Sequence, residues 1–139
     1  MRARGADADD EGSVLLLTLG YALLALVLVL VCVDATSLYL TQKRADAAAD
    51  AAALAGADGF TLTIEGGNPT ARLSDEGVHA QAAELLDALG TARLVSASTP
   101  DGVSARVRVE LDWRPPVLTL FVPEGWTLGA TATSRTALR

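Results

Sequence analysis

The sequence predicts an α+β protein: a long N-terminal transmembrane helix continuing into a small domain with one further helix and a three- to four-stranded antiparallel sheet. Three observations carry this reading. Val14 to Val33, VLLLTLGYALLALVLVLVCV, contains no charged residue. Ala45 to Ala57, ADAAADAAALAGA, has one of the most helix-favouring compositions available. Ser104 to Trp113 alternates strictly, with Ala105, Val107, Val109, Leu111 and Trp113 on one side and Arg106, Arg108, Glu110 and Asp112 on the other. That alternation is the mark of a strand with one buried and one wet face.

The apolar run comes first. At ~1.5 Å per residue a helix of this length spans ~30 Å, the thickness of a bilayer's hydrocarbon core. A cleaved secretory signal fits less well, because its apolar core is only ~7–15 residues long. The flank also has the wrong sign: Asp7, Asp9, Asp10 and Glu11 stand where a signal carries basic residues. Cys32, the only cysteine, lies inside the run, so no intrachain disulfide forms and no Cys-based zinc site exists. Val31 before it departs from a lipoprotein box. Arg2 and Arg4 on one flank balance Lys43 and Arg44 on the other, so the positive-inside rule leaves orientation open.

Residues 1–13 are polar and read as a disordered tail, 14–33 as the span, 34–58 as a helical extension and 59–139 as a small domain. Proline is absent from 34–58, so one helix is expected from about Val14 to Ala57. On the extension Leu38, Thr41, Ala45, Ala48, Ala52 and Ala55 recur at helical spacing. Ala45, Ala48, Ala52 and Ala55 form a candidate helix-packing face, since small side chains let another backbone come close. That face suits either the domain's own sheet or a bundle of subunits. Lys43, Asp46 and Asp50 line another face, where Lys43 offsets the acids.

Beyond the stalk, Phe60, Leu62 and Ile64 alternate with polar residues over 59–65, a short strand. Gly66-Gly67-Asn68-Pro69 reads as a loop. Ser74 is an N-cap, Asp75 and Glu76 suit the first turn, and Gly90 stops the helix after Leu89. Val78, Ala82, Leu85, Leu86 and Leu89 are its expected buried face. Arg93 to Ser98 is a strand, and Thr99-Pro100-Asp101-Gly102 suits a type I hairpin turn. Pro115-Pro116 ends the 104–113 strand, and Thr127 to Arg139 reads as another. The run Val117 to Val122 between prolines is either a helical turn plugging the sheet edge or an exposed apolar patch.

The chemistry-bearing residues are sparse. A net charge of -6 with no basic cluster longer than Lys43-Arg44 argues against nucleic-acid partners. His79 is the single histidine and reads as a solvated or half-buried residue. Without a second histidine, no metal site or nucleophile–base pair is legible. Gly66-Gly67 lacks the lysine of a phosphate loop. Arg106, Arg108 and Arg135 are placed to share one sheet face, which ordinary sheet surface explains as well as anion binding does. Asp34 and Tyr39 mark the outer end of the span, where tyrosine is common. The expectation is no enzyme, no cofactor, no metal and no small-molecule substrate.

Asp10-Glu11-Gly12-Ser13, the span, and then VDATSLYLTQKRADAAADAAALAGA closely resemble the N-terminal segment of TadE/TadG-like proteins of tight-adherence (Flp-type) pilus assembly, with the look of an actinobacterial TadG-related member. The likeness covers Glu11 to Ala57, and ADAAALAGA is its most specific part. It implies a cytoplasmic N-terminus, an extracytoplasmic domain at the plasma membrane, and membrane lipid and other Tad/Flp assembly proteins as partners. It implies a structural or anchoring accessory, a minor pilin-like component of a pilus or secretion apparatus. The alternative is a membrane-tethered binding domain, an adhesin or envelope sensor, unrelated to pili. Pilins and TadE-type pseudopilins of this kind carry a glycine followed after four residues by a glutamate, read by a prepilin peptidase. Here Gly12 and Ser13 would form the processing site, but Leu17 stands where the glutamate belongs. A permanently anchored protein is therefore expected.

Overall fold

A computed structural model describes residues 7–66 and 68–135. The first element, α1, is a single uninterrupted helix over Asp7–Ala57. At ~1.5 Å per residue it is about 76 Å long. It starts earlier than the expected Val14, so residues 7–13 of the expected disordered tail are helical, while 1–6 lie outside the described residues.

A hairpin follows, β1 (Phe60–Glu65) and β2 (Asn68–Leu73), paired antiparallel with Glu65 opposite Asn68. The expected loop at 66–69 is thus shorter than read from the sequence, because Asn68 and Pro69 already belong to a second strand; Gly67 lies outside the described residues. Pro69 disguises that strand in the sequence. It is tolerated because each strand of a two-stranded ribbon has a free edge that needs no donor.

Helix α2 (Asp75–Leu89) begins and ends where its capping residues predict. Ser74 Oγ accepts from the Gly77 amide at 3.1 Å, and the Gly90 amide, in the left-handed region, donates to Leu86 O at 2.9 Å. Val78, Ala82 and Leu86 are buried and Leu85 is partly so. Leu89, expected inside, is exposed at the rim of a groove it shares with Arg44, Ala47 and Ala48 of α1.

Strands β3 (Arg93–Ser98), β4 (Ser104–Trp113) and β5 (Trp126–Arg135) form an antiparallel sheet in the order β3-β4-β5. The five strands therefore divide into a ribbon of two and a sheet of three, rather than one sheet. The 127–139 strand starts at Trp126, and its last four residues lie outside the described ones. The β3–β4 connection is wider than a four-residue type I turn, because Ser98 pairs with Arg106. Asp101 organises it: its carboxylate accepts from the amides of Val103 (3.0 Å) and Ser104 (2.6 Å) and from Ser104 Oγ (2.8 Å). These bonds, the one from Val103 foremost, hold the Asp101 carboxyl below its ordinary value.

The expected alternation of β4 is present, with Ala105, Val107, Val109, Leu111 and Trp113 buried. α1 and α2 lie on that face, and the opposite face is wet, giving a two-layer arrangement. The core is built mostly from alanines of α1 set against valines. The fit is close: a Cβ added at Gly56 would come within 2.9 Å of Val78 Cγ1 and 3.3 Å of Ala105 Cβ.

Candidate functional site: a membrane anchor strapped to its own domain

α1 has two chemically distinct halves. From 14 to 33 its side chains are exposed all round, Leu30 alone being half-buried. It is the one helix among the described residues long and apolar enough to cross a membrane. Backbone groups inside a bilayer must be satisfied internally, which a helix achieves. Thr18 handles its own polarity in the same way, donating its hydroxyl to Val14 O at 2.6 Å.

The second half begins at Asp34, the first charged residue after the span. Asp34 is only 5% exposed. Its Oδ1 accepts from the Val117 amide at 3.1 Å, while Oδ2 is buried without a hydrogen-bond partner among the described residues. One turn on, Ser37 Oγ accepts from Trp113 Nε1 at 3.2 Å. Further out, Gln42 Nε2 donates to Gly129 O at 3.3 Å and to Asp46 Oδ1 at 3.1 Å. Sequence reasoning placed Asp34 at the end of the hydrocarbon but missed this strap, because its partner lies 83 residues away in the chain.

The Asp34 strap leads to a graded prediction. Asp34→Asn keeps an acceptor oxygen for the Val117 amide, so the melting temperature in detergent should change little. Asp34→Ala strands the Val117 amide, a loss of ~1–3 kcal/mol. Equal melting of the two variants would show that the strap contributes nothing.

Of the candidate packing face, Ala45, Ala48 and Ala52 are buried and Ala55 is half-buried. Leu38 and Thr41 are also half-buried. Ala49, Ala53, Gly56 and Ala57, which the spacing did not single out, are buried beside them. A broad sheet covers a wider stripe than a single row of contacts, so neighbouring positions are taken in as well. This face lies on β4, β5 and α2 of the same chain.

The opposite side is solvated. Lys43 Nζ lies 3.1 Å from Asp46 Oδ2 and 5.8 Å from the centre of the Tyr39 ring. Asp46 raises the Lys43 pKa above its ordinary value, and hydrogen bonds from Gln42 and Lys43 hold the Asp46 carboxyl below the usual range. Arg106, Arg108 and Arg135 do share the wet sheet face, where Arg106 Nε donates to Thr133 Oγ1 at 3.4 Å and Arg108 approaches Glu110 at 3.9 Å. Arg93 also pairs with Glu110, at 3.1 Å. His79 is exposed. Among the described residues no three His, Cys, Asp or Glu side chains gather as a metal site would need.

Residues 12–59 match the family model for Flp pilus-assembly TadE/G-like proteins. Over that stretch the N-terminal helix is similar to TadE/G-like proteins. The match runs from the entrance of the span to the end of α1 and stops before β1. The matched stretch therefore comprises both the apolar span and the alanine face that carries the domain. No curated protein and no solved structure matches the chain. Gly12 and Ser13, the residues of the processing motif, lie in regular helix, and Gly12 has open space around it.

Proposed function

We propose that this chain is a structural accessory of a Flp-type pilus or secretion apparatus, a minor pilin-like component that stays anchored in the plasma membrane. Its N-terminus is cytoplasmic and its small domain extracytoplasmic. It acts by position and contact with other assembly proteins, not by catalysis. The observation that carries this reading is the TadE/G-like match over the whole of the span and stalk. Leu17 in place of the peptidase glutamate supports permanent anchoring. The alternative, a tethered binding domain unrelated to pili, draws on residues 60–135 lying outside the matched segment. A secretion ATPase and platform proteins encoded beside this chain favour the first reading, and their absence the second.

One experiment tests orientation and anchoring together. Protease added to intact spheroplasts should remove residues 43–139 and leave a membrane-held fragment whose mass still includes the residues through Gly12. Full protection of 43–139 would overturn the orientation. A fragment beginning at Ser13 would overturn permanent anchoring and move the chain toward the processed pilins.

A further inference from the structure

The contacts along α1 fix which end of the sheet faces the membrane. Val117 meets Asp34, Trp113 meets Ser37, Gly129 meets Gln42, and Ala105 lies against Gly56. Strand β4 therefore runs back along α1 toward the span, and β5 runs away again. The 114–125 connection turns at the membrane end. Its backbone is held by hydrogen bond to Asp34, the residue immediately after the apolar run.

The composition of that connection suits the location. Pro115 to Pro123, PPVLTLFVP, holds no charge and is bracketed by Arg114 and Glu124. Within it Leu118–Leu120 make one turn of 3-10 helix. Phe121, next in line, is 81% exposed, the most exposed large apolar side chain among the described residues. Trp126, at the base of the loop, is 57% exposed and lies 5.8 Å from the Trp113 ring. Tyr39 is exposed on α1 little more than a turn beyond Asp34. Aromatic rings of this kind gather where acyl chains give way to headgroups. In water such a patch is a liability, whereas at the acyl boundary its apolar area is covered by lipid.

We infer that the 114–125 loop is a second membrane contact, with Phe121 inserted at the acyl–headgroup boundary and Trp126 and Tyr39 at headgroup level. The occupant of the patch is the lipid surface around the chain's own span. The domain is thereby seated on the bilayer at two points, the span and the loop. This inference depends on the span crossing a bilayer, but not on pilus assembly or on which side the domain faces.

The test uses the full chain in vesicles of phosphatidylcholine and phosphatidylglycerol. Cys32→Ser removes the native thiol, and Phe121→Cys is labelled with nitrobenzoxadiazole. Ile64→Cys, in the far ribbon and 78% exposed, is labelled as the control. Both sites are on the surface, so neither label disturbs the core. The label at 121 should show a blue-shifted emission and lose intensity to lipids bearing a doxyl group high on the acyl chain. It should resist aqueous iodide, and the label at 64 should behave in the opposite way. Iodide quenching at 121 equal to that at 64 would overturn the inference. So would protection of 121 from both quenchers, which would mean that protein covers the patch.

Discussion

Ala52→Leu should destabilise the folded domain by ~1–3 kcal/mol, the usual cost of forcing extra methylenes into a filled core. Ala52 is 0% exposed and sits in the middle of the alanine stripe, in one cluster with Val78, Val107 and Val109. The helix itself would not object, since leucine is almost as good a helix former as alanine. The whole effect therefore reports the packing of α1 on the sheet. At roughly 4–8 °C per kcal/mol for a domain of this size, the loss is read directly as a lower melting temperature. Ala47→Leu on the exposed side of the same helix is the control and should be nearly neutral. Equal melting of the two variants would mean that α1 is not docked as described. A drop in melting without any separate loss of partner binding would mark the stripe as internal core.

The second large effect is expected at Gly125. It sits at φ 69°, where a side chain is strained by roughly 1–2 kcal/mol. A Cβ there would also run into the backbone carbonyl of Trp113 and come within 3.0 Å of Arg114 Cγ. A flexible side chain can swing away, but a β-strand carbonyl moves only with its strand. Gly90 is a natural comparison, because it has a similar φ of 61° and open space around it. Gly90→Ala pays for conformation alone, so Gly125→Ala should cost clearly more, about 2 kcal/mol or above. The chain has two tryptophans, and they pair at this end of the hairpin. The near-ultraviolet circular dichroism of that pair should therefore weaken in Gly125→Ala and survive in Gly90→Ala. An unchanged spectrum would mean that the loop base is not closed by this contact.

These two sites differ in how far the sequence reveals them. The alanine stripe is legible because helical periodicity is a local signal. So are the caps of α2 and the alternation of β4, each of which depends on residues within a few positions. What the stripe lies against is not local: the spacing of Ala45, Ala48 and Ala52 suits a neighbouring subunit as well as the chain's own sheet. The widening to Ala49 and Ala53 follows only from the breadth of that sheet. Strand β2 was hidden because Pro69, Ala71 and Arg72 carry little strand preference, and pairing with β1 supplies what propensity lacks. Asp34 and Gly125 are ordinary residues in sequence. Asp34 becomes a strap through an amide far along the chain, and Gly125 is required by a carbonyl on the other arm of its hairpin.

The unbroken course of α1 from span to domain core has a mechanical consequence. No hinge separates the part that sits in lipid from the part that carries the sheet, and Asp34 and Ser37 clamp the joint from the side. The assembly is a rigid lever. From Asp34 to Ala57 the arm is about 35 Å long, so a tilt of ~20°, ordinary for single spans, sweeps its far end about 12 Å sideways. A tug on the outer ribbon is felt as torque within the bilayer, and a change in bilayer thickness is felt as displacement of the ribbon.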